Sequence, residues 1–203
     1  MPATAVQNHP AVPDSCHDFA HCEYLQVGVV SDTHGYLDPD IHDHLAGCDL
    51  ILHAGDIGSS RVLHQLREIC ENVIAVQGNN DCTEKWAARE HQELMRIGQL
   101  AEIKLPGGSV VLMHGDAYGM PGRRHAQMRQ HFADSAAIVY GHSHMRVCDQ
   151  EKKPWILNPG AAGKTRTRGG ASCLRMSVSA GQWKVDEFRA PQQKSCDPAV
   201  QAS

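Results

Sequence analysis

The chain has 203 residues, of which 41% are hydrophobic and 21% charged, with a formal net charge of -4 at pH 7. That length builds one domain with a sizeable core and leaves little room for two. A weakly acidic balance gives no electrostatic reason to bind nucleic acid or an anionic membrane, and no apolar run approaches the roughly 18 residues that span a bilayer.

Met1 to about Glu23 is polar, holds three prolines and shows no hydrophobic period, so 1–23 is expected as a disordered tail. Cys16, His17, His21 and Cys22 fall within it, but no C-x-x-C pair completes a zinc site there. Met1 to Phe19 has neither an apolar core nor a basic start, so no signal peptide is expected. The eight cysteines are read as reduced thiols, several inside apolar runs, and the expected setting is cytoplasmic.

Leu25 to Ser31 reads as a buried strand, and Asp32-Thr33-His34-Gly35 follows it. Asp38-Pro39 supplies a helix N-cap and a first-turn proline. Leu50 to Ala54 is a second strand, ending in Gly55-Asp56. Ser59 or Ser60 can cap a second helix, which carries Val62, Leu63, Leu66, Ile69 and Cys70 as an apolar stripe. Val73 to Val76 is a third strand, ending in Gly78-Asn79-Asn80-Asp81. The spacing is regular: 56 − 32 = 24 positions, then 79 − 56 = 23. Strand, helix and two turns take that length, so the stretch predicts β-α-β-α-β with a parallel sheet.

Residues 82–94 have only partial helical character. Leu100 to Leu105 and Val110 to Met113 flank Pro106-Gly107-Gly108 as a hairpin, closed by His114-Gly115-Asp116. Arg123 to Phe132 reads as a helix. Ala136 to Tyr140 is a strand that runs into Gly141-His142-Ser143-His144. Trp155 to Leu157 leads into Asn158-Pro159-Gly160, and Cys173 to Val178 pairs with Trp183 to Phe188 around Ala180-Gly181. Residues 190–203 are expected as a flexible tail, leaving 24–189 as the domain.

Parallel strands place their carboxyl ends on one edge, where α/β proteins hold ligands. Asp32, His34, Asp56, Asn79, His114, His142 and His144 all fall at strand ends. Mixed carboxylate, imidazole and amide donors without thiolate suit Mn, Fe or Zn. Asp56, the one carboxylate of the middle cluster, is the natural bridge between two divalent ions.

These motifs resemble those of the calcineurin-like metallophosphoesterases, specifically the small single-domain phosphodiesterases of bacteria and archaea. They are D-x-H at Asp32 and His34, G-D at Gly55-Asp56, G-N at Gly78-Asn79, H-G at His114-Gly115 and G-H-x-H at His142 and His144. The resemblance spans about Leu25 to Phe188. It implies a four-layer α-β-β-α sandwich of two mixed β-sheets flanked by helices. One ion would take Asp32, His34, Asp56 and His144; the second would take Asp56, Asn79, His114 and His142. Manganese is the first expectation, with iron, zinc, nickel or cobalt also compatible. The implied reaction is phosphodiester hydrolysis, by a hydroxide bridging the ions, on a small phosphate ester. No nucleic-acid or membrane partner is indicated, and a homo-oligomer stays open.

Many family members carry histidine directly after the metal-binding asparagine; here that position is Asn80. Asn79 and Asn80 are the catalytic candidates, Asn80 as a phosphate contact that cannot act as a general acid. The rival reading is a weak or inactive interaction scaffold of the same fold, like the retromer subunit. His53 is expected as a packed histidine or one that orients a ligand, and Asp116 as a residue that supports a ligand or sits in a turn. His42, His44, His64, His91, His125 and His131 are expected on solvated helix faces. Asn158-Pro159-Gly160 is expected near the site. Lys164, Arg166 and Arg168 are a solvated basic loop by default, with phosphate steering as the alternative.

Overall fold

A computed structural model describes residues 13–119 and 121–191. The expectations for 1–12 and 192–203 lie outside them. Strand β1 (Ser15–Asp18) is followed by β2 (Tyr24–Val30), α1 (Pro39–His44), β3 (Leu50–His53), α2 (Ser60–Ile69) and β4 (Val73–Ala75). Then come α3 (His91–Leu94), β5 (Leu100–Leu105), β6 (Gly108–Met113), α4 (Pro121–His131) and β7 (Ala137–Val139). Strands β8 (Arg146–Asp149), β9 (Trp155–Pro159), β10 (Ser172–Ser179) and β11 (Trp183–Arg189) complete the chain.

The strands form two sheets, one ordered β11-β10-β2-β3-β4 and the other β1-β5-β6-β7-β9-β8. Strands β2, β3 and β4 are parallel, as their spacing predicts. Alternation along the strands builds the layers. Val27, Val29, Leu50 and Leu52 meet Ile103, Val110, Leu112 and Val139 in the core shared by both sheets. The intervening Val30 and Ile51 face Ile41, Leu45, Val62, Leu63 and Leu66 of α1 and α2. Val111, Met113 and Ile138 face Met128 of α4 in a third cluster. The result is the expected four layers, with helices outside two mixed sheets.

Local capping follows the sequence signals. Asp38 accepts from the Asp40 backbone N–H at the start of α1, and Ser59 accepts from that of Arg61 at the start of α2. Two short strands depart from expectation. Residues 13–23 are not a tail: β1 pairs in parallel with β5, and Asp14 Oδ2 accepts from the backbone N–H groups of Gln99 and Leu100. This strand is polar and held by its backbone, so it leaves no hydrophobic period to read. Strand β8 is likewise a half-buried edge strand against β9. Segment 82–94 contains only the single turn α3 and a short 3₁₀ turn.

Several helix-face histidines are not simply solvated. His125 Nε2 meets the Tyr140 hydroxyl at 2.8 Å, His131 Nδ1 meets that of Tyr118 at 2.9 Å, and His44 stacks on Phe188 at 3.9 Å. Each sits over an aromatic contributed by another element. Among the described residues no helix is long and apolar enough to cross a membrane.

Candidate metal centre

The loops beyond β2 and β3 continue the strand ladder with backbone bonds from Asp32 N to Gly55 O (2.9 Å) and from His34 N to Asp56 O (2.9 Å). Gly141 N donates to His114 O at 3.0 Å, tying the two loops of the other sheet together. The loops turn through the left-handed region at the candidate ligands themselves. Asp32, His34, Asp56, His142 and His144 have φ of 53, 47, 54, 64 and 54°. Such a conformation costs a non-glycine residue roughly 1 kcal/mol or more, and it persists only where the surroundings impose it. Gly141 leaves the room: a Cβ there would stand 1.9 Å from Ser31 Oγ and 2.9 Å from Asp32 Oδ2.

Asp32, His34, Asp56 and His144 bring one ligand atom each to within 4.8 Å of one another. Asp32, Asp56, His114 and His144 are buried. The donors are pre-oriented. His144 Nδ1 lies 3.0 Å from Thr165 O and His114 Nδ1 lies 2.8 Å from Ala54 O. A carbonyl only accepts, so both Nδ1 atoms carry the proton and both Nε2 atoms face the centre. His144 Nε2 stands 3.2 Å from Asp32 Oδ1 and 3.3 Å from His34 Nε2. Ser31 Oγ donates to Asp32 Oδ2 at 2.7 Å, whereas Asp32 Oδ1 and His114 Nε2 are buried without a hydrogen-bond partner among the described residues.

Acceptor atoms crowded together and left unsatisfied are costly unless a cation sits among them. Burial opposes charge on His114, yet the Asp56 carboxylate 3.5 Å away outweighs it and raises the pKa to about 9, so a cation would have to displace the proton that His114 Nε2 holds beside Asp56. Burial also opposes ionisation of Asp56, but His114 and Asn80 hold its carboxyl well below the usual range. Burial lowers the pKa of His34 and of His142, keeping both imidazoles neutral for ligation. The donor set therefore fits divalent cations.

Asn79, His114 and His142 form an adjoining group. Asn79 Oδ1 is 3.1 Å from His142 Nδ1, and the His114 and His142 rings lie edge to face at 5.2 Å. Asn80 meets Asp56: its backbone N–H donates to Asp56 Oδ1 and its Nδ2 to Asp56 Oδ2, while Lys85 Nζ donates to its Oδ1. In this structure its amide positions a carboxylate. Asp116 is exposed. His53 is fully buried and accepts from Gly55 N at 3.2 Å, so its Nε2 donates to Thr33 Oγ1 at 2.9 Å. Asn158 Nδ2 donates to Gly141 O at 2.7 Å and to Ser143 Oγ at 3.2 Å, bracing the two-histidine loop.

Asp81 has a role beside the centre that the motifs do not record, and of the basic loop Arg166 is the residue that reaches it. Buried Asp81 accepts from Ile57 N, Gly58 N, Gly78 N and Trp86 Nε1, pinning the Asp56 loop to the Asn79 loop. Its place three residues after Gly78 is a local turn signal that could have marked it. Arg166, with φ 52°, donates from Nη2 to His144 Nε2 at 2.9 Å, standing at the edge of the cluster. Lys164 goes elsewhere, 3.8 Å over the Tyr36 ring.

Two packed mixed sheets with an Asp/His cluster able to hold a cation on their strand-end loops describe a class of metal-binding α/β proteins. The model of the calcineurin-like phosphoesterase superfamily domain matches residues 25–181, and the chain belongs to that superfamily. It is 29% identical over 142 residues to a probable metallophosphoesterase of Methanocaldococcus jannaschii, covering 68% of each chain. It is 25% identical over 147 residues to a phosphodiesterase of the same organism, covering 67% of this chain and 83% of that one. The structure of Vacuolar Protein Sorting 29 from Cryptosporidium parvum shares the fold, with a TM-score of 0.63, 19% identity and coverage of 83% and 100%.

Proposed function

We propose that this chain is a metal-dependent phosphodiesterase with a two-ion centre bridged by Asp56. The observation that carries the proposal is the convergence of Asp32, His34, Asp56 and His144, with buried Asp32 Oδ1 left without a hydrogen-bond partner among the described residues. Asp32, His34, Asp56 and His144 would hold one ion; Asp56, Asn79, His114 and His142 would hold the other. When bound, a divalent pair supplies Lewis acidity for the phosphoryl oxygens and lowers the pKa of a shared water, with manganese the ion to supply first.

The chain's own residues set the rest. Asn80 fixes the bridging carboxylate, Asp81 holds the backbone beside it through Ile57 N–H, and Ser31 leaves only one Asp32 oxygen to the centre. Arg166 places a cation that meets charge on a phosphate at the margin of the centre. Asn80 supplies no acid, so esters with good leaving groups are the favoured substrates.

The test is hydrolysis of an aryl phosphodiester with added Mn, for the native chain and for Asp56→Asn. Turnover that needs metal and disappears in the variant supports the proposal. Metal-dependent turnover that survives the substitution refutes the site, and no turnover with any metal favours the scaffold reading.

A further inference from the structure

A second cleft, of about 360 Å³, opens beside the metal centre and shares His144 with it. Arg146, Arg168 and Arg189 line it, with Glu187 as the one opposing charge. Glu187 Oε2 lies 3.4 Å from Arg146 Nη1, so one carboxylate faces three guanidinium groups. Arg146 Nε is buried and has no hydrogen-bond partner among the described residues. Arg168 is held at φ 46° before Gly169 and Gly170, on the loop whose Arg166 reaches His144.

Guanidinium groups bind phosphate through paired charge-assisted hydrogen bonds, and lysine is absent from this wall. The volume falls in the range of small-molecule sites, about 300 to 1,000 Å³. We propose that this cleft is a phosphate subsite, so that the substrate is a phosphodiester bearing a second phosphate on the same molecule. The scissile phosphate would lie at the metal centre and the second phosphate among Arg146, Arg168 and Arg189, with His144 between them. Diesters of the same size without a second phosphate would leave the charge of the cleft unused. This placement rests on the proposed phosphodiesterase reading for the scissile position, although the subsite binds without chemistry.

Calorimetric titration of the Mn-loaded full chain tests it with thymidine 3′,5′-bisphosphate against thymidine 5′-monophosphate. The bisphosphate should bind roughly tenfold more tightly, the scale of one good charge-assisted contact. The double substitution Arg168→Gln/Arg189→Gln should erase that preference, and Glu187→Gln should enlarge it. The two changes act in opposite directions, so misfolding cannot imitate the pattern. Equal affinity of the two probes, or a preference untouched by all three substitutions, overturns the subsite. A retained preference in a chain that hydrolyses no diester upholds the subsite and refutes the enzymatic reading alone.

Discussion

Asn80 holds both oxygens of Asp56, through its backbone N–H at 2.8 Å and its side-chain Nδ2 at 2.7 Å. The residue that replaces the histidine common in the family thus orients the carboxylate proposed to bridge the ions. Partners that orient ligands typically contribute 10- to 100-fold in metal affinity. Asn80→Ala keeps the backbone bond and loses the amide. Mn affinity, read by calorimetry, should fall roughly tenfold, and the aryl-diester KM should change little once Mn is saturating. A large KM rise at saturating Mn, with Mn affinity unaltered, would return Asn80 to phosphate contact.

Gly78 marks where the backbone must approach a ligand most closely. A Cβ there would stand 2.3 Å from Asp56 Oδ1 and 2.4 Å from Asp56 N, whereas one at Gly181 would meet nothing within 4 Å. Gly78→Ala should therefore destabilise the chain by about 1–3 kcal/mol and abolish Mn binding. Gly181→Ala should stay within about 0.5 kcal/mol of the native chain. Denaturant unfolding of the pair, with and without Mn, checks both statements.

His53 ties acid stability to the metal loops. Burial drives its pKa down to about 4, against 6.5 for the ordinary group, and Gly55 N–H already occupies its Nδ1. The unfolded chain therefore binds the proton first, and stability falls with pH from about 6.5 towards 4. Tm should therefore fall as pH drops through that window. His53→Gln should be less stable at pH 7 yet show a flatter fall in Tm between pH 7 and 5; an unchanged slope contradicts the assignment.

Much of this molecule is legible before any coordinates. The Asp38-Pro39 cap, the strands from Leu25, Leu50 and Val73, and the polar loops 24 and 23 positions apart all rest on local pattern and spacing. Strand β1 is not legible, because a polar edge strand held by backbone bonds to β5 shows no alternation of buried side chains. The family resemblance supplied the second sheet and the division of ligands, which periodicity alone does not contain. Asp81 and Arg166 act through partners 23 and 22 positions away, on Gly58 and His144, and no motif records that they meet.

The most direct test of the two-ion account is stepwise Mn loading of the metal-free chain while aryl-phosphodiester turnover is followed. Turnover should stay low through the first equivalent and rise with the second, because Asp56 serves both positions and neither ion suffices alone. Full activity at one equivalent, or activity that never depends on Mn, would contradict it.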